Sequence, residues 1–306
     1  MTIRFQTLAL TALLSTLATH TVPAQQAESD VIKVDVQRVV LYATVREGKA
    51  RFAEDLTKDD FTVLDNGLKQ EILSFSRSDV PVAIGLLIDN SASMMNKRDE
   101  VVAAAKAFVR ATNPADELFV LHFNEALQFG LPQGVAFTGD RKALDAALDK
   151  MVLDGRTSLY DAIHLGLEQL ELSKLTKKAL VVLSDGGDNT STRKLSDVVR
   201  KADLSGALFY GVGIYDPMDG DANPGAVRKL AESTGGESFF PKEVQEVKTL
   251  CETIARELRN QYMISYSPPA AKQAGEYRKV QLKVRNPKGR KLTVRSRTGY
   301  YSGANP

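Results

Sequence analysis

The sequence predicts an α/β protein: a doubly wound, mostly parallel sheet with a flanking β-sandwich-like domain built from the N- and C-terminal segments. Short apolar runs at 82–88, 118–123, 179–183 and 207–214 carry no polar face, as expected of strands covered on both sides. Helical patterns alternate with them near 97–111, 140–152, 158–173, 195–204, 223–233 and 243–258, the succession of βαβ units. Outside this block the pattern is of β-branched, alternating residues broken by turns.

Taken in order, residues 1–24 place Arg4 before an apolar stretch from Leu8 to Leu17, then Val22 and Ala24 at positions suited to cleavage. This reads as a secretory signal peptide cut near Ala24. Its apolar core is far short of the ~20 residues of a membrane-spanning helix, so the mature chain is expected to be secreted or periplasmic with no transmembrane segment. Residues 31–78 form an N-terminal β segment, in which Asp65-Asn66-Gly67 separates two alternating runs as a hairpin turn does. Residues 81–259 form the α/β domain. Residues 260–301 return to a β pattern, broken at Pro268-Pro269 and Pro287-Lys288-Gly289, and are expected to pack with 31–78 because few strands alone are marginal.

Cleavage removes Arg4 alone among the charged residues, leaving 39 basic against 38 acidic side chains. A balance this even predicts neither nucleic acid nor a membrane surface as partner. The only cysteine, Cys251, falls on the apolar face of the 243–258 pattern with Val244, Val247, Ile254 and Leu258, so it reads as a small buried residue. Between Lys272 and Arg297 ten basic residues meet one acid, Glu276. There Lys279, Lys283 and Arg285 alternate with Val280, Leu282 and Val284, the pattern of a sheet with one solvated face rather than an anion-binding patch.

The chemistry concentrates where the first central strand ends, in "VAIGLLIDNSASMMNK" at 82–97. Asp89, Ser91 and Ser93 follow the strand, Asp185 occupies the matching place after "ALVVLS", and Thr157 enters at a loop-to-helix junction, where Ser158 offers an alternative cap. Open parallel sheets bind ligands beyond the carboxyl ends of their strands. Two carboxylates and three hydroxyls are hard oxygen donors. They suit Mg²⁺, with Mn²⁺ or Ca²⁺ as alternatives, whereas zinc would call for nitrogen or sulfur. The set falls short of six oxygens, which leaves room for water and for a group from elsewhere.

On these residues the chain resembles the von Willebrand factor type A domain, whose metal-ion-dependent adhesion site is matched by Asp89-x-Ser91-x-Ser93, Thr157 and Asp185. The resemblance implies that Ser91, Ser93 and Thr157 touch the cation directly while Asp89 and Asp185 act mainly through water. It also implies a protein partner whose Asp or Glu completes the shell, and a terminal helix, here 243–258, that shifts with the state of the site. Asn90, Met94, Gly155, Arg156 and Asp188 are expected to line the rim and shape the choice of partner. Ala92 and Arg156 stand where many relatives have glycine. The flanks, "GKARFAEDLTKDDFTVLDNGLKQEILSFSRSDV" and "YMISYSPP" to "GYY", resemble the VWFA-related proteins of acidobacteria.

The reading is therefore a non-enzymatic, adhesion-type binding protein. Two alternatives remain beside it. One is a metal-independent scaffold using its β domain. The other is a hydrolase, for which His122 and His164 are the histidines of the mature chain and neither lies in a nucleophile motif. A dinucleotide site would need G-x-G-x-x-G after the first central strand, and a P-loop its Walker lysine; neither is present.

Overall fold

A computed structural model of the chain describes residues 38–48, 51–77, 79–150, 155–215, 223–270, 273, 275–286 and 289–303; the predicted signal peptide and residues 31–37 lie outside them. The described residues begin with β1 (Val39–Glu47), β2 (Arg51–Phe52), β3 (Phe61–Asp65), β4 (Leu68–Gln70) and β5 (Ser74–Ser76). The central part follows as β6 (Val82–Asp89), α1 (Arg98–Ala111), β7 (Glu117–Phe123), β8 (Leu127–Phe129), α2 (Arg141–Asp149), α3 (Leu159–Glu171), β9 (Lys177–Ser184), α4 (Leu195–Ser205), β10 (Leu208–Gly213), α5 (Pro224–Thr234), β11 (Ser238–Phe239) and α6 (Glu246–Arg259). The chain then returns to strands with β12 (Tyr262–Tyr266), β13 (Tyr277–Val284), β14 (Leu292–Arg295) and β15 (Gly299–Tyr301).

The central sheet runs β11-β10-β9-β6-β7-β8. Its pairings are parallel except for β7 with β8. Every residue of β6 is buried, as its unbroken apolar sequence requires of a strand covered on both faces. From β6 the chain steps first to β7 on one side and later to β9 on the other, so the strand order reverses between β6 and β9. That is the topological switch point, where carboxyl-end loops splay apart and leave a crevice.

The flanking strands are built from both ends of the chain. β1 pairs antiparallel with β12, Val39 opposite Tyr266, and further along with β14; β3 pairs antiparallel with β13. The sheets β14-β1-β12-β5 and β15-β13-β3-β4 share one core, including Leu41, Val63, Tyr262, Ile264 and Leu282, which makes them a sandwich. The β3–β4 hairpin turns on Asn66 (φ 47°) and Gly67 (φ 82°), both in the left-handed region a two-residue type I′ turn demands.

The alternation in β13 holds for Lys279 and Lys283 outside and Val280 and Leu282 inside, but Arg278 is also inside. It is tolerated because Asp65 accepts from Arg278 Nε at 2.8 Å and from the Tyr266 and Tyr300 hydroxyls at 2.9 and 2.8 Å.

A second buried network joins the sandwich to the α/β domain. Glu257 on α6 is fully buried and accepts from Thr44 Oγ1 (3.0 Å), Arg46 Nη2 (2.5 Å), Tyr210 Oη (2.9 Å) and Arg295 Nη2. Where the chain enters and leaves the central domain, Arg259 pairs with Asp79 at 2.6 Å and with Asp116 at 2.5 Å. Cys251 is fully buried on α6, and burial pushes its thiol up to about 12.

Candidate functional site

Three loops meet at the carboxyl ends of β6 and β9. Asp89 is the last residue of β6 and fully buried. Its Oδ1 accepts from Ser91 N at 2.9 Å and its Oδ2 from Ser184 Oγ at 2.5 Å, so both carboxylate oxygens are held by the loops they organise. The backbone then tightens into a 3₁₀ turn, with Met94 N donating to Ser91 O at 3.0 Å. This fold of the loop brings Ser91 Oγ and Ser93 Oγ to 3.0 Å from each other, and Ser93 Oγ donates to Asp185 Oδ2. Ser91 and Asp185 are buried whereas Ser93 is exposed, so the cluster opens to solvent at Ser93.

The loop after β9 turns at Gly186 (φ 82°), where a Cβ would lie 2.6 Å from the Tyr215 ring. A side chain there would meet both left-handed strain and a steric block. The third loop is tied in by its backbone. Gly155 O accepts from Ala92 N at 3.1 Å, and Thr157 is paired on both sides with Asn189: its N–H donates to Asn189 Oδ1 at 3.0 Å and its carbonyl accepts from Asn189 N at 3.0 Å. Among the described residues no hydrogen bond joins the Thr157 hydroxyl to the serines or aspartates. Thr157 is thus carried to the same edge by its loop rather than by a side-chain contact.

Ser158 does not cap α3 with its side chain, because its hydroxyl donates to Asn124 O instead. The helix start is met by the neighbouring loop: Asp188 Oδ1 accepts from Tyr160 N at 3.2 Å and Ser191 Oγ accepts from Asp161 N at 3.1 Å. Asp188 is half-buried and engaged in this structural role. Arg156 is exposed on the rim, its Nη2 donating to Asn189 O at 2.7 Å.

Two rim expectations need correction. Met94 is fully buried in the main hydrophobic core, because the 3₁₀ turn points it inward; its neighbour Met95, 59% exposed, is the methionine that faces solvent. Asn90 is also buried, extending the β6–β7 ladder through its N–H to Phe123 O at 2.7 Å, with its Oδ1 left without a hydrogen-bond partner.

Burial first, and then the like charge of Asp185, raise the Asp89 carboxyl to about 7 against the bonds from Ser184 and Ser91. No group of three or more His, Cys, Asp or Glu side chains suited to a metal occurs among the described residues. The donor set here is instead two carboxylates and neighbouring hydroxyls, all oxygen, with the orphaned Asn90 Oδ1 close in sequence. Such a set fits a hard divalent cation that keeps part of its water. His122, the histidine nearest by strand order, is buried with Nε2 at 2.8 Å from Ala147 O, and burial lowers its pKa, so it packs as a neutral ring away from the serines.

Sequence reasoning missed Ser184, which orients Asp89, and Asn189, which clamps Thr157. The signal for Ser184 was its place directly before Asp185 at a strand end. Asn189 had none, because its contact spans 32 residues.

The family model for the von Willebrand factor type A domain matches residues 83–254. No curated protein matches the sequence. Among solved structures, a von Willebrand factor type A protein from Catenulispora acidiphila superposes with a TM-score of 0.53 at 14% identity, covering 89% of this chain and 76% of that one. Proximal thread matrix protein 1 from the mussel byssus gives 0.50 at 16% identity over 59% of this chain and 49% of its own. The von Willebrand domain of the type V pili tip protein Mfa5 from Porphyromonas gingivalis gives 0.47 at 12% identity over 59% and 97%. For the first two, at these identities, the likeness is one of fold.

Proposed function

Since the chain belongs to the von Willebrand factor type A family, we propose that it is an exported, non-enzymatic binding protein that captures an acidic side chain of a protein partner through a divalent cation. Ser91, Ser93 and Thr157 would hold the ion, Mg²⁺ in the first place, with Asp89 and Asp185 orienting the hydroxyls and water around it. When bound, the ion supplies the positive charge that a partner's Asp or Glu meets. The protein's own contribution is preorganisation. Asp89 fixes the backbone at Ser91 and is itself fixed by Ser184, so the serines are presented before any partner arrives. Arg156 and Met95, both exposed beside the site, would give the rim a cation and an apolar contact for a partner's neighbouring residues.

The observation that supports this reading most is the unbroken chain of oxygens from Ser91 through Ser93 to Asp185 at the switch point of the sheet. The test is calorimetric titration of Mg²⁺ and Mn²⁺ into the metal-stripped mature chain, beside an Asp89→Ala/Ser91→Ala variant with native circular dichroism. Saturable binding lost in the variant is expected; equal heats from both chains, or none from either, would remove the proposal.

A further inference from the structure

Just past β10 the chain brings an aromatic side chain to the edge of the oxygen cluster. Tyr215 stacks on Phe240 with ring centroids 5.4 Å apart and an interplanar angle of 17°, and the Arg228 guanidinium lies over Phe240, 4.7 Å from its centroid. Two glycines leave space for the tyrosine. A Cβ on Gly213 would lie 2.8 Å from Tyr215 Cζ, and one on Gly186 would lie 2.8 Å from the Tyr215 hydroxyl. Lys97, at the end of the 3₁₀ turn that follows Ser91, donates from Nζ to Ile214 O at 2.8 Å. The backbone beside Tyr215 is thereby tied to the loop of Ser91 and Ser93.

The direction of the ring sets this residue apart. Tyr215 is half-buried, yet its hydroxyl is the end closed to solvent, and it has no hydrogen-bond partner. A partly exposed tyrosine ordinarily turns its hydroxyl to water, and a buried hydroxyl ordinarily finds an acceptor. Stacking and space-filling alone would be served as well by phenylalanine. The hydroxyl lies instead against Gly186, the residue after Asp185. Burial pushes its pKa up; Arg228 pulls it down, and the charge of Asp185 adds to the rise, so that carboxylate is within electrostatic reach. Asp185 also has acceptor capacity to spare. Ser93 Oγ donates to its Oδ2, whereas the bond to Oδ1, from Gly187 N, is 3.4 Å long, beyond the usual range of an N–H donor.

We propose that Tyr215 is a positioning residue of this site: its hydroxyl donates to Asp185 and holds that carboxylate in the orientation from which it organises the oxygens around a bound cation. The inference rests on the metal reading above, and it gives Tyr215 no contact with the ion. Groups that orient a metal's ligands from outside change metal affinity by about 10–100-fold when they are removed. Gly186 then has a second role beside its turn, since any side chain there would displace the hydroxyl from the cluster.

The experiment is calorimetric titration of Mg²⁺ and Mn²⁺ into the metal-stripped mature chain and into its Tyr215→Phe variant, which keeps the ring and loses the hydroxyl alone. Affinity is expected to fall about tenfold or more in Tyr215→Phe. Its melting temperature in the presence of chelator should equal the parent's or exceed it, because a buried hydroxyl with no partner does not stabilise the fold. A spectroscopic readout accompanies the titration: the chain has nine tyrosines and no tryptophan, so the near-ultraviolet difference spectrum on adding Mg²⁺ reports phenols, and Tyr215→Phe should remove part of it. Equal affinity in the two chains would overturn the proposal and leave the metal reading standing. Failure of the parent chain to bind either ion would remove both. A loss of affinity matched by a lower melting temperature in chelator would make Tyr215 a packing residue and overturn the proposal as well.

Discussion

Replacing Glu257 by glutamine keeps the side chain's shape and removes the buried charge that balances two half-buried arginines. The carboxylate is fully buried, while Arg46 and Arg295 retain 12% and 28% of their side-chain exposure. Deleting one member of a buried ion pair costs about 3–5 kcal/mol, because the other charge is left without compensation. Glu237 lies 3.2 Å from Arg46 and 2.7 Å from Arg295 and remains in the variant, which puts the expected loss at the low end, about 3 kcal/mol. At roughly 2–4 °C per kcal/mol for a chain of this size class, the melting temperature should fall by about 6–12 °C.

The pH dependence adds a second check. Burial pushes the Glu257 carboxyl up, but Arg295 and Arg46 with their hydrogen bonds outweigh it and hold the pKa below its ordinary value. Burial raises that of Glu237, against the pull of Arg295 and Arg46. A depressed carboxyl contributes stability that is fully present above its unfolded pKa of about 4.3 and is lost as pH falls through the folded value. The gap between native chain and Glu257→Gln should therefore be full at neutral pH and shrink in acid. Urea unfolding followed by circular dichroism at both pH values measures it. A gap under about 1 kcal/mol at neutral pH, or one that widens in acid, would refute the reasoning.

Three further outcomes are expected. Burial, then Arg259, lowers the Lys177 pKa to about 7 against the pull of Asp79, Asp116 and Glu257. Between about 7 and the unfolded value near 10.4 the unfolded chain binds more protons, so native stability should rise with pH by up to about 1.4 kcal/mol per unit; Lys177→Met should flatten that rise in a series of unfolding curves. Gly186→Ala should lower stability by roughly 1–3 kcal/mol through left-handed strain and the Tyr215 contact, measured by thermal unfolding; an unchanged midpoint would contradict the turn geometry. The Cys251 thiol should resist iodoacetamide in the native chain and react only on addition of denaturant, as mass spectrometry would show.

The α/β architecture was legible because its strands and helices are long and strongly patterned. The run 82–88 became β6 and the pattern 195–204 became α4, each within a residue. β8 and β11 were not legible: at three and two residues they have no period to read, and they exist only because a neighbouring strand offers an open edge. At the candidate site, the spacing of Asp89, Ser91 and Ser93 at a strand end carried information because backbone geometry converts that spacing into one cluster. Met94 misled because the loop's sequence does not show which of two adjacent methionines faces inward, whereas the 3₁₀ turn buries Met94 and leaves Met95 outside. Arg278 keeps the strand's alternation but puts a charge on its inner face, which the sequence did not reveal because its partner, Asp65, lies 213 residues away.

The interleaving of the two chain ends has a consequence for how the protein is made. Leu56 donates to the Tyr262 hydroxyl across 206 residues of sequence. At the roughly 5–20 residues per second of synthesis, the early strands wait about 10–40 s for the ones that cover them. During that interval the α/β domain, whose strand neighbours are closer in sequence, can assemble first and bring its entry and exit points together. Closing the sandwich then requires joining only short ends already held side by side, and the long insertion that separates them becomes the template on which they meet.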